Sequence, residues 1–142
     1  MWAKPLFTLD SNVAIYAFSD QGEKAEIARA ILTRSDFVSA QVLNEFVNVG
    51  LRKHQRSWPE LLIAVGRLRR AIPIVLPIDE TAHLEALRIA ERYQLSFYDA
   101  LLVAVAICGG ARTLYSEDMQ HGMSINETLR IVNPFLPGAL DQ

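Results

Sequence analysis

LSFYDALLVAVAICGGARTLYS, residues 95–116, decides how the chain is built. Its first part, residues 97–108, is apolar at nearly every position, the pattern of a helix buried on all sides. Gly109 and Gly110 then stop it, because glycine accepts the left-handed backbone that helix ends use. Residues 112–116 follow as a short run with an apolar, β-type centre, which reads as a strand. A buried helix that delivers its chain straight into a strand is the repeating unit of a parallel sheet covered by helices. One residue is out of keeping with this. Asp99 sets a carboxylate at the head of the apolar helix, and an ionised group beside Leu101, Val103 and Val105 is costly unless it is hydrogen-bonded, paired or bound to a cation. Either Asp99 caps the helix or it holds a cation.

The alternation extends outward from this stretch in both directions. Residues 5–10, 36–39, 73–78 and 129–134 are four more candidate strands, short and bounded by polar residues or proline. Helical periodicity fills 23–33, 40–54, 58–71 and 79–93, and Ser57-Trp58-Pro59-Glu60 has the form of a capping box with proline in the first turn. No repeat, low-complexity tract or linker interrupts the pattern. A chain of 142 residues, 51% hydrophobic and 21% charged, is expected to form one domain over 1–142 with a real core. The reading is an α/β sandwich with a mostly parallel sheet.

Composition removes several function classes. The lone Cys108 cannot form an internal disulfide, and no Cys/His cluster has zinc-ligand spacing, which fits a reducing, cytoplasmic setting. Residues 1–20 contain Lys4, Pro5, Asp10 and Asp20 and read neither as a signal peptide nor as a membrane span. The net charge of −2 argues against a nucleic-acid partner until its distribution is seen. Residues 51–70 carry Arg52, Lys53, Arg56, Arg67, Arg69 and Arg70 against Glu60 alone, a local +5 that leaves about −7 on the remainder. A basic lip beside an acidic centre is what a polyanionic substrate and a cation would require together. Two solvated helix faces would show the same composition.

The acids of the remainder converge. In open parallel sheets ligands bind at the carboxyl ends of the strands. Asp10 closes the first candidate strand, and Asp118 comes two residues after the fourth. Glu45 lies in the second turn of the helix leaving the second strand, and Asp99 heads the helix that feeds the fourth, so all four belong to the same edge. Each has a quieter explanation when taken alone. Asp10 suits an Asx turn or helix N-cap, Asp99 a capping-box variant with Ser96, Glu45 a surface helix position and Asp118 a turn. Four such coincidences on one edge are harder to accept than one shared role. Clustered carboxylates repel one another and call for a hard cation, for which oxygen ligands select Mg²⁺ or Mn²⁺. Such an ion suits in-line hydrolysis of a phosphodiester by water.

At these residues the chain resembles the PIN-domain ribonucleases, specifically VapC-like toxins of toxin–antitoxin pairs. The blocks are LDSNVAIYAF with Asp10, QVLNEFVNV with Glu45, SFYDALLVAVA with Asp99 and LYSEDMQHG with Asp118, in order along essentially the whole chain and followed by RIVNPF. The resemblance implies a three-layer α/β/α sandwich whose mostly parallel five-stranded sheet has the order 3-2-1-4-5. It also implies a catalytic Mg²⁺ or Mn²⁺ site made by Asp10, Glu45, Asp99 and Asp118, with Asn12 and Ser116 as polar supports. An RNA substrate, a homodimer and a small VapB-like antitoxin complete the implied picture. The antitoxin is expected to fold onto apolar surface near residues 40–71 and to bring a basic side chain to the acids.

Other residues invite less. His54 and His121 read as surface histidines, His83 as a helix-face residue, and Trp58 as packing for an inter-helix turn. Two rival functions stay open on the residues alone. A haloacid-dehalogenase-like phosphatase would use Asp10 as nucleophile but wants a second acid two residues on, where Asn12 stands. A non-catalytic PIN scaffold would not need the full acidic set.

Overall fold

A computed structural model describes residues 4–141; Trp2 lies outside them. Among these residues six strands and six α-helices follow in the order β1 (Leu6–Leu9), α1 (Ser11–Ala17), α2 (Gly22–Arg34), β2 (Val38–Ser39), α3 (Ala40–Arg52), α4 (Trp58–Ala71), β3 (Val75–Leu76), α5 (Glu80–Tyr93), α6 (Phe97–Cys108), β4 (Ala111–Tyr115), β5 (Ser124–Ile125) and β6 (Leu129–Val132), with a 3-10 turn at Ala139–Asp141. The five expected strands and five expected helices are all present, with ends that differ by a few residues.

Helix α6 is the centre of the fold. Every residue from Ala100 to Ala106 is buried, as its unbroken apolar run requires. It packs along α5 on one side and against β4 and β2 on the other, while α1 lies with α2 and α3. The helix ends where Gly110 adopts φ +82°, open to glycine at no steric cost. Gly109 is needed for a different reason. A Cβ there would sit 2.5 Å from Phe37 Cζ and from Leu76 Cδ1, so the end of α6 touches β3 and the chain entering β2 only because no side chain intervenes.

The sheet departs from the expected single five-stranded sheet of order 3-2-1-4-5. Parallel β1–β4 and β4–β6 ladders and an antiparallel β5–β6 ladder make a four-stranded sheet of order β1-β4-β6-β5, and β2 and β3 form a separate parallel pair. Two corrections follow. A sixth strand, β5, was not anticipated, because Ser124–Ile125 is too short to show a period and is defined only by its pairing with β6. The ladder between β1 and β2 is also broken, for a reason visible at Asp36. Its Oδ2 accepts the Phe7 N–H at 2.8 Å, a position where a neighbouring strand would offer a carbonyl, and Lys4 Nζ lies 3.4 Å from Oδ1. Asp36 N–H donates to Phe7 O at 2.8 Å, and Thr8 Oγ1 donates to Phe37 O at 2.7 Å, completing the junction. The spatial succession β3-β2, then β1-β4-β6, keeps the α/β class while replacing one ladder by a junction of one backbone bond and two that use side chains.

Helix α1 is the other element that periodicity did not give. Seven residues span two turns, less than the window in which a 3.6-residue period can be read. Burial of Val13, Ala14 and Ala17 and the Asp10 cap hold it instead. The capping box of α4 is present in full: Ser57 Oγ accepts from Glu60 N–H and Glu60 Oε1 accepts from Ser57 N–H. Trp58, expected to pack a turn, is 60% exposed at the head of that helix.

Candidate active site

The parallel register puts the first two site residues side by side. Leu9 pairs with Tyr115, so the next residues, Asp10 and Ser116, emerge together from the carboxyl ends of β1 and β4. Asp10 N–H donates to Tyr115 O at 2.8 Å, and Ser116 Oγ–H donates to Asp10 Oδ2 at 2.8 Å across 106 residues of chain. The other carboxylate oxygen accepts from Ser11 N–H at 2.7 Å, which makes Asp10 the N-cap of α1. The cap reading and the site reading of Asp10 therefore describe one residue.

Asn12, in the first turn of α1, binds the wall together. Its Nδ2 donates to Asp10 Oδ2 and to Asp118 Oδ2, each at 3.2 Å, and approaches Ser116 Oγ at 3.4 Å. Its Oδ1 accepts the Glu117 N–H at 3.1 Å, which fixes which end of the amide faces the acids. The neighbouring acid, Glu117, points elsewhere: it receives Lys24 Nζ at 2.6 Å and Tyr16 Oη at 2.9 Å. Asp118 is thereby singled out from its own run of acids.

Glu45 and Asp99 approach from the helices. Glu45 stands in the second turn of α3, whose N-cap is Ser39 at the end of β2. Ser11 Oγ donates to Glu45 Oε2 and Gln41 Nε2 to Glu45 Oε1, both at 2.8 Å. Gln41 Nε2 also donates to Tyr98 O at 3.1 Å and so ties α3 to the first turn of α6. Neither Ser11 nor Gln41 was anticipated; the one signal in the sequence is that Gln41 precedes Glu45 by four residues, on the same helix face. In α6, Ser96 Oγ accepts the Asp99 N–H at 3.3 Å, but the reciprocal bond that Glu60 makes in α4 has no counterpart among the described residues. The Asp99 carboxylate is left to the site.

Electrostatics agree with this arrangement. Burial pushes Asp10 from its ordinary 3.8 to about 6; hydrogen bonds from Ser116 and Ser11 oppose the rise, and the charges of Glu45 and Asp99 add to it. A buried carboxylate facing two others is short of positive charge, and its partners are all hard oxygen donors. Among the described residues no three Asp, Glu, His or Cys side chains stand close enough to encage an ion. The acids are instead joined in pairs, Asp10 to Asp118 through Asn12 and Asp10 to Glu45 through Ser11.

The basic residues are dispersed. Arg52 and Lys53 line a groove with Asn48 at the end of α3. Arg56 Nη2 donates to Phe18 O at 2.9 Å, Arg67 borders a hollow with Phe18 and Arg29, and Arg69 and Arg70 close the last turn of α4. His54 and His83 are exposed, the latter edge-on to Phe97, and His121 Nδ1 accepts the Asn133 N–H at 3.0 Å.

Residues 7–121 match the PIN domain family model, and the chain belongs to that family. No curated protein sequence matches it. Solved structures share its fold at low identity. A toxin–antitoxin complex from Klebsiella pneumoniae is 21% identical over 90% of this chain and 97% of the other, with a TM-score of 0.63. DNA-bound VapBC from Salmonella typhimurium is 19% identical, again over 90% and 97%, with a TM-score of 0.66. VapC20 of Mycobacterium tuberculosis, a sarcin–ricin-loop-cleaving toxin, is 16% identical over 76% and 86%, with a TM-score of 0.60.

Proposed function

We propose that residues 1–142 form one PIN domain acting as a VapC-like toxin, a divalent-metal-dependent endoribonuclease that hydrolyses phosphodiester bonds and is restrained by a small VapB-like antitoxin. One observation carries the reading: the buried Asp10, its pKa pushed up to about 6, is bridged to Asp118 by Asn12 and to Glu45 by Ser11, and it feels the charges of Glu45 and Asp99. In this reading Asp10, Glu45, Asp99 and Asp118 hold Mg²⁺ or Mn²⁺. When bound, that ion would polarise a phosphodiester oxygen and lower the pKa of a water. The protein's own contribution is positional. Ser116 and Asn12 orient the Asp10 carboxylate, Asn12 sets Asp118, and Gln41 and Ser11 hold Glu45. Asp10 must release its proton to become a ligand, so ion affinity is expected to rise with pH through about 6. The Asn12 amide occupies the position where an aspartyl phosphatase needs its second acid, and it donates to Asp10 rather than accepting a proton.

The partner side rests on surface chemistry and on the toxin–antitoxin complexes that share the fold. Leu62 and Ile63 on α4 are 72% and 59% exposed beside Trp58, an apolar strip suited to an amphipathic partner segment. A basic side chain from that partner would satisfy the acids in place of the ion. A homodimer working in the cytoplasm belongs to the same reading; no helix among the described residues is long and apolar enough to cross a membrane.

Purified protein incubated with structured RNA tests the proposal. Cleavage within exposed loops in Mg²⁺ or Mn²⁺, 5′-phosphate ends and loss of activity in EDTA are expected. Undiminished cleavage by Asp99→Asn in EDTA would overturn it. Co-expression of the neighbouring gene should relieve growth arrest caused by the chain.

A further inference from the structure

Beside the acids lies a cleft of about 620 Å³ that the carboxylates do not fill. Glu45 and Asp99 form one end. Along one side run the exposed amides of Asn44 and Asn48, one helical turn apart on α3; the facing side is apolar, with Tyr98, Ile78 and Leu101. Tyr98 is 71% exposed, yet its position is built. Its carbonyl is held by Gln41, and its ring stands edge-on to Phe97, centroids 6.0 Å apart, with Phe97 in turn edge-on to His83 at 5.5 Å. Gln41 also lines the cleft, and its Oε1 is a buried side-chain oxygen without a hydrogen-bond partner. Asn48 also lines a second groove with Arg52 and Lys53, about 10 Å of helix rise from Glu45.

We infer that this cleft is a nucleotide subsite, in which the base next to the scissile phosphate stacks on Tyr98 and is read at its edge by Asn44 and Asn48, while the following backbone phosphate meets Arg52 and Lys53. The inference rests on the proposed ribonuclease reading and assigns that site its specificity residues. A nucleobase is the occupant whose chemistry matches both walls: a flat π-face for the aromatic side and an edge of donors and acceptors for the amides. The order acid, amide, cation along a single helix face matches a strand whose reacting phosphate lies at the acids and whose next phosphate needs positive charge. A second copy of this chain or an apolar peptide would leave the amides and the basic end without partners.

The test uses the whole protein and short single-stranded RNAs with 5-iodouridine at successive positions, irradiated in Mg²⁺ and, separately, in EDTA. A crosslink mapping to Tyr98 from the nucleotide flanking the cut is expected. Tyr98→Ala should weaken RNA binding about tenfold or more, Tyr98→Phe should restore it, and an abasic nucleotide at that position should erase the difference between Tyr98→Ala and the parent. Asn44→Ala with Asn48→Ala should compress the preference among the four bases there. Crosslinks confined to other surfaces while cleavage is normal would overturn the subsite and leave the ribonuclease reading standing. Absence of both crosslinking and cleavage would overturn the two together. A Tyr98→Ala variant that changes the sedimenting mass but not RNA affinity would make the cleft a contact between copies and overturn the inference.

Discussion

The two walls of the acidic site are held by different means. On the strand side, Asp10 and Ser116 are placed by adjacent rungs of a parallel ladder, and Asn12 locks Asp118 onto them. On the helix side, Glu45 depends on two hydroxyl and amide donors, and Asp99 leans on a cap that uses only its backbone. The first wall is a fixed reference whose geometry the backbone dictates. The second is set by side-chain bonds and borders the cleft. Two of the four acids are thus placed from the strand ends and two from the helices that border the cleft.

That contrast can be broken most severely at the acids themselves. Asp10→Asn and Asp118→Asn on the strand side, and Asp99→Asn on the helix side, should each lower the cleavage rate about a thousandfold or more, with Glu45→Gln also severe. Near-normal turnover by either helix-side variant in single-turnover kinetics would remove that wall from the site.

Stability separates the walls next. Asp10 keeps its proton to about pH 6 in the metal-free fold but only to 3.8 when unfolded, so the folded chain binds more protons between these values and stability falls as pH rises through that window. The shift corresponds to about 3 kcal/mol. Metal-free Asp10→Asn should therefore be inactive yet more stable than the parent at pH 7, by up to that amount, with the advantage gone at pH 4. Urea denaturation at the two pH values checks this, and an identical pH dependence in both proteins would contradict it.

Smaller effects should fall on different observables. Asn12→Ala and Ser116→Ala are expected to weaken Mn²⁺ binding about tenfold to a hundredfold in a direct titration, because they orient ligands. Gln41→Leu, which frees Glu45 and Tyr98 together, should raise KM for RNA more than it changes ion affinity. The smallest effect concerns charge. Neutralising Arg52 and Lys53 should flatten the salt dependence of RNA binding by about 0.7 per lost contact, whereas Arg69 and Arg70, at the far end of α4, should leave the slope unchanged.

Much of this was legible in the residues because the strongest signals are local. The apolar run of α6 and its glycine stop, the Ser57–Glu60 box and the four acids at element ends each follow from neighbours in sequence. What escaped was set by tertiary contact. β5 exists only through β6, α1 only through its cap and burial, and the roles of Ser11 and Gln41 arise from partners 34 and 57 residues away. The exposure of Trp58 also eluded the reading, since a tryptophan in a capping box looks the same whether it faces a core or solvent.

The junction at Asp36 has a mechanical meaning. Asp36 grips Phe7 on both of its polar groups, its N–H donating to the carbonyl and its carboxylate accepting from the N–H. Phe7 and Asp36 therefore join two stiff leaves, one bearing Asp10 and the other leading through β2 into the helix of Glu45. Between those two acids stands one hydroxyl, Ser11 Oγ, 2.8 Å from Glu45 Oε2 and 3.4 Å from Asp10 Oδ1, so that any slip of one leaf against the other is felt first at that residue.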